Sequence, residues 1–196
     1  MPKRFVPVDT WAKKAKKEGW RARSVYKLRE LDERFRLIHA GMKVLDLGAA
    51  PGSFLQYVST RIGPRGYALG IDLEEITPIA PNVHTFKGNI QDLKAIQKIL
   101  EAEGIKKFDL ILSDLSPNTS GIKGVDQWRS IELAEAVIEV AKDYLIPGGC
   151  VLLKLLRGED FDAFVKELRR NWESVKLCQV RASRDRSSEM YILLRK

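Results

Sequence analysis

Residues 42–54, MKVLDLGAAPGSF, join a short apolar run to a glycine-containing turn and the start of a helix. Val44, Leu45 and Leu47 give the near-continuous apolar character of a strand buried on both faces, as in a parallel sheet. Gly48 and Gly52 allow a sharp backbone turn and bring the N-terminus of a helix beginning at Ser53 close to the strand's end. The spacing is neither G-x-G-x-x-G nor that of a P-loop, so it indicates neither a dinucleotide nor a triphosphate.

Outward from this turn, strand-like and helix-like segments alternate. Before it, Val25, Leu28, Leu31 and Phe35 recur at helical spacing over residues 22–38. After the helix at residues 53–62 come strands at 67–73 and 83–88, a helix at 90–104 closed by Gly104, and a fourth strand, KFDLILSDL, at 107–115. The turn-rich loop SPNTSGIKG leads to a long helix over residues 128–145, ended by PGG, and to a strand at 150–156. A helix at 160–170 precedes two alternating segments, SVKLCQV and EMYILLR, that read as a hairpin joined by RASRDRSS. Strand–helix alternation predicts an α/β fold, with a mostly parallel seven-stranded sheet, an antiparallel last strand and helices on both faces.

At 196 residues the chain suits one well-buried domain, placed at 25–196 behind a basic arm at 1–24. No apolar run approaches the ~18 residues of a membrane span, and MPKRFVPVDTWAKK lacks the apolar core of a signal peptide, so a cytoplasmic protein is expected. Cys150 and Cys178 are too few for a disulfide framework, His39 and His84 stand alone, and no metal site is indicated.

The net charge of +8 is concentrated in the arm. Lys3, Arg4, Lys13, Lys14, Lys16, Lys17, Arg21 and Arg23 face only Asp9 and Glu18 there. Such a segment, with Phe5, Trp11 and Trp20 among its charges, fits a polyanionic partner; it also fits a solvated lysine-rich helix. Arg181, Arg184 and Arg186 in the hairpin loop allow the same two readings.

Lys154 interrupts the apolar run Val151–Leu156. Desolvating an unpaired ammonium costs several kcal/mol, so a lysine here either snorkels from a strand end or serves a purpose other than packing. Ligands of doubly wound sheets bind at the carboxyl ends of the strands, near the reversal of strand order, where VLDLGAAPGSF lies. Asp72 closes the second strand, 20 residues after Gly52, where an acid can accept hydrogen bonds from a ribose diol. Together Gly48, Gly52, Phe54 and Asp72 resemble the cofactor site of class I S-adenosylmethionine-dependent methyltransferases, a Rossmann-like fold.

Four stretches narrow the resemblance. RARSVYKL, DLGAAPGSF, SDLSPNTSG with VLLKLLRG, and RSSEMYI resemble, in this order and across nearly the whole chain, the FtsJ (RrmJ) family of RNA ribose 2′-O-methyltransferases. The resemblance implies a catalytic set at Lys27, Asp114, Lys154 and Glu189, and S-adenosyl-L-methionine contacts at Gly52, Phe54, Asp72, Asn89 and Asp114. Phe54 stands where the family usually has tryptophan, and Asn89 where it usually has aspartate; the amide oxygen can still accept a hydrogen bond, but the charge is gone. The chemistry suits the four residues: a ribose hydroxyl is a poor nucleophile and needs in-line positioning and a base. Each residue alone would also fit a structural ion pair at the sheet edge. The resemblance implies methylation of a uridine of large-subunit (23S) ribosomal RNA, free or in the assembled subunit, engaged through the basic arm by a monomer. The alternatives are a transfer-RNA anticodon-loop 2′-O-methyltransferase and a non-catalytic RNA-binding assembly factor of the same fold.

Overall fold

The computed structural model describes residues 10–182 and 188–196. Lys3, Arg4, Phe5 and Asp9 of the basic arm, and Arg184 and Arg186 of the hairpin loop, lie outside the described residues. The elements run α1 (Thr10–Lys17), α2 (Val25–Phe35), β1 (Lys43–Leu47), α3 (Ser53–Ile62), β2 (Tyr67–Asp72), β3 (Val83–Lys87), α4 (Leu93–Ala102), β4 (Phe108–Ser113), α5 (Lys123–Tyr144), β5 (Leu145–Leu156), α6 (Phe161–Asn171), β6 (Ser174–Cys178) and β7 (Glu189–Arg195). They form one sheet in the order β3-β2-β1-β4-β5-β7-β6, parallel except that β7 is antiparallel to both of its neighbours. This is the predicted architecture.

The strands read as near-continuous apolar runs because helices cover both faces. Leu45, Leu47, Ile71, Ile111, Val151, Leu153 and Leu155 point into one apolar cluster with residues of α4, α5 and α6. Val44, Ala68, Leu110, Leu112, Leu152 and Leu193 point into the other, with residues of α1, α2 and α3. Each set alternates along its strands with period two. Burying even one such leucine is worth about 1.5–3 kcal/mol, so a one-residue slip of any central strand would be heavily penalised.

Among the boundaries that differ from the sequence expectation, three have a clear physical cause. Helix α2 stops at Phe35 because Arg36 adopts a left-handed conformation (φ 51°) and its N–H bonds back to Asp32 O. Helix α5 begins five residues before Trp128; the glycines at 121 and 124 hide this start in the sequence. Asp126 folds back to accept the N–H groups of Ser120 and Gly121, which fixes the turn entering α5. Strand β5 begins at Leu145 and incorporates the PGG stretch as an irregularity, its register against β4 shifting between Leu145 and Cys150.

The basic arm is partly folded: α1 lies on the α2 side of the domain. Ala15 is buried, and Trp11 packs on Tyr26 with ring centroids 5.0 Å apart. Lys13, Lys16 and Lys17 remain exposed. Among the described residues, no helix is long and apolar enough to cross a membrane.

Candidate active site

Strand order reverses between β1 and β4, and the turn after β1 opens there. Gly48 has φ 81°, a conformation that strains other residues, and a Cβ on it would fall 2.2 Å from Leu115 Cδ2, so glycine lets the Leu115 side chain lie against this turn. Asp72 Oδ2 accepts the N–H of Ala50 at 2.9 Å and Oδ1 that of Glu74 at 2.9 Å, tying the end of β2 to the turn. Beside it is a cavity of about 480 Å³ whose lining includes Gly48, Asp72, Asn89, Leu115 and Arg129. Asn89 Oδ1 accepts the N–H of Gln91, shaping the loop on the cavity's far wall.

Three of the expected cofactor residues do not line this cavity: Gly52, Phe54 and Asp114. Phe54 is 3% exposed, and its ring packs in the apolar cluster under α1–α3. Gly52 is the left-handed N-cap of α3 (φ 99°). A Cβ on it would meet Ile79 at 2.8 Å and Arg21 Nη1 at 2.9 Å.

The four expected catalytic residues converge. Lys154 Nζ is 3.0 Å from Asp114 Oδ1 and donates to Asp114 O at 2.8 Å. Lys27 Nζ is 2.7 Å from Glu189 Oε2 and 3.9 Å from the same Asp114 Oδ1. The lysines are 7% and 6% exposed (Lys27 and Lys154), which rules out snorkelling to water; β5 continues two residues beyond Lys154, to Leu156. Alternation explains the convergence. Lys154 has the parity of Leu152, Asp114 that of Leu112, and Glu189 that of Tyr191 and Leu193, so all three side chains leave the sheet on the face covered by α2, which carries Lys27.

Two residues absent from the sequence expectation join this group. Tyr191, the strand partner of Lys154 on β7, is fully buried and donates its hydroxyl to Asp114 Oδ1 at 2.5 Å. Its burial, and then the charge of Asp114, raise the phenol's pKa well above the usual value, which keeps it a donor. Its sequence signal is EMYI, where Glu189 and Tyr191 share a face at spacing two. Asp46 on β1 is 1% exposed, and neither carboxylate oxygen has a hydrogen-bond partner. Burial, reinforced by the charges of Asp114 and Asp72, pushes its carboxyl well above the ordinary range. Its sequence signal is an acid inside the apolar run VLDL, the same anomaly as Lys154.

These features test the implied cofactor. An orphaned buried carboxylate calls for a cationic partner, and S-adenosylmethionine carries an ammonium and a sulfonium. The glycine turn and the acid at the end of β2 line the cavity and fit that molecule; Asp46 lies two residues before the turn, outside the lining.

Comparison with known proteins gives a consistent result. The family described as FtsJ-like methyltransferase matches residues 20–196. A Pseudomonas fluorescens protein named Ribosomal RNA large subunit methyltransferase E is 42% identical over 185 residues, covering 94% of this chain and 88% of that protein. A protein of the same name from Dechloromonas aromatica is 39% identical over 185 residues, covering 94% and 90%. Among solved structures, a Plasmodium falciparum chain described as a ribosomal RNA methyltransferase superposes with a TM-score of 0.78 at 27% identity, covering 90% of this chain and 97% of that one.

Proposed function

Because the chain belongs to the FtsJ-like methyltransferase family, we propose that it transfers a methyl group from S-adenosylmethionine to a ribose 2′-hydroxyl of RNA, at a uridine of large-subunit (23S) ribosomal RNA. The observation that carries this reading is the convergence of Lys27, Asp114, Lys154 and Glu189 beside the glycine turn. The names of the relatives favour ribosomal over transfer RNA. That substrate supports a cytoplasmic site of action.

When bound, S-adenosylmethionine supplies an electrophilic methyl carbon on a sulfonium with a neutral thioether as leaving group. Asp46 would hold its ammonium, and Asp72 its ribose diol. The protein's remaining task is to position the RNA hydroxyl and take its proton. Lys154 Nζ is the proposed base, held by the carboxylate and the main-chain oxygen of Asp114. A lysine accepts a proton only when neutral, so Lys154 enters the step as the amine and leaves it as the ammonium, which Asp114 then stabilises. Lys27, fixed by Glu189, presents a second cationic donor to the ribose or its phosphate.

The RNA path runs along α1 and α2. Lys13, Lys16 and Lys17 are exposed on α1, while α2 carries Lys27 itself, so a strand neutralised by the first helix reaches the site along the second. Incubating the protein and methyl-labelled cofactor with deproteinised RNA or large ribosomal subunits, then mapping the labelled ribose, tests the reading. Label on a 2′-oxygen of large-subunit RNA is expected; label only on transfer RNA, or on no RNA, would refute it.

A further inference from the structure

Six large apolar side chains are exposed among the described residues, and three of them share the first turns of one helix and its N-cap: Ile122 (63%), Val125 (37%) and Trp128 (56%). Spacing of three places them on one side of the start of α5, opposite the buried Asp126, Gln127, Ser130 and Ala134. An exposed apolar stripe of this kind marks an interaction site rather than a packing requirement.

Its place is fixed by its neighbours. Ser130 Oγ accepts the N–H of Leu156 at 3.1 Å, and the Gln127 side chain fills the space where a Cβ on Gly158 would sit, 2.6 Å away. The stripe is thus anchored to the chain that leaves β5 just after Lys154. On its other flank, Arg129 lines the cavity beside Gly48 and donates to Asn118 O at 3.2 Å. From Ile122 to Arg129 the exposed charges are Lys123 and Arg129, both basic, with Asp126 turned inward onto Ser120 and Gly121; Glu132, one turn on, lines the same cavity as Arg129. An apolar, aromatic-tipped stripe flanked by Lys123 and Arg129, next to the cavity that Arg129 lines, suits a nucleobase with its phosphate better than an apolar protein surface. Aromatic side chains stack on unpaired bases of any identity, and splayed bases are the usual handle on RNA.

We propose that Trp128, backed by Ile122 and Val125, is the stacking platform for a base of the RNA substrate that flanks the methylated nucleotide. This rests on methyl transfer to RNA by the site described above. Trp128 is half-exposed and its removal opens no core cavity, so Trp128→Ala should fold, bind S-adenosylmethionine and unfold thermally as the wild type does. Its Kd and KM for large ribosomal subunits or their RNA should rise ~5- to ~150-fold, the usual range for losing one stacked base. Trp128→Phe should stay within about threefold of wild type, since a ring is retained. An alanine variant with RNA affinity within twofold of wild type would overturn the proposal. So would a wild-type dimer, detected by sedimentation, that Trp128→Ala dissociates while leaving RNA affinity intact, because the stripe then belongs to a second copy. A wild-type protein that methylates no RNA would instead sink the functional reading and the platform with it; the two failures are told apart by the wild-type control.

Discussion

Lys154 and Asp114 meet twice: the amine lies 3.0 Å from the carboxylate and donates to the main-chain oxygen of the same residue at 2.8 Å. One residue therefore fixes both the position of the proposed base and the charge facing it. The carboxylate is fixed in turn by Tyr191, whose hydroxyl reaches the oxygen that faces Lys154.

Tyr191→Phe keeps the ring in its place and removes only the hydroxyl. A hydrogen bond to a charged group is typically worth about 1.5–3 kcal/mol, so loosening Asp114 should slow single-turnover methyl transfer roughly tenfold or more. Cofactor affinity should not change, because Tyr191 touches Asp114 and not the glycine turn. Equal rates for variant and wild type would remove Tyr191 from the mechanism.

Asp46 predicts opposite effects on stability and binding. The folded protein holds a proton on this carboxyl that the unfolded chain releases at about pH 4. Stability is therefore lost as pH rises from there toward the raised folded-state value and stays lost above it. Asp46→Asn, neutral at every pH, should be more stable than wild type to denaturant at pH 7 and indistinguishable from it below about pH 4. The same variant should bind S-adenosylmethionine more weakly, because the wild-type carboxyl can release its proton and face the ammonium as an anion, whereas an amide cannot. Calorimetry showing unchanged affinity would mean that Asp46 does not face the ammonium.

The lysines of α1 predict a salt effect. Replacing Lys13, Lys16 and Lys17 with glutamine should weaken RNA binding and flatten the slope of log affinity against log salt by about 0.7–0.9 for each phosphate that is no longer neutralised. The helix should remain docked, since Ala15 and Trp11 pack it onto the domain. An unaltered slope would show that these side chains face only solvent.

The sheet is legible in the sequence because every strand carries its own apolar pattern and every crossover a helical one. The gathering of Lys27, Asp114, Lys154 and Glu189 is legible only through resemblance, since their separation in sequence exceeds anything periodicity reports. Alternation then shows why they meet, but only once strand order is known. The sequence anomaly at Lys154 has a twin at Asp46, masked because an acid in a short strand next to glycines looks like turn chemistry. The start of α5, with its exposed Trp128, is hidden by glycines that Asp126 makes compatible with a helix entry.

The central claim is that Lys154 removes the proton of the 2′-hydroxyl, and Lys154→Arg under single-turnover conditions tests it most directly. Guanidinium preserves the charge beside Asp114 but cannot give up its proton at working pH. If Lys154 is the base, the arginine variant should bind S-adenosylmethionine and RNA within about threefold of wild type, yet transfer methyl ~10²- to 10⁴-fold more slowly. An arginine variant that keeps most of the wild-type rate would contradict the account and leave Lys154 an electrostatic partner of Asp114.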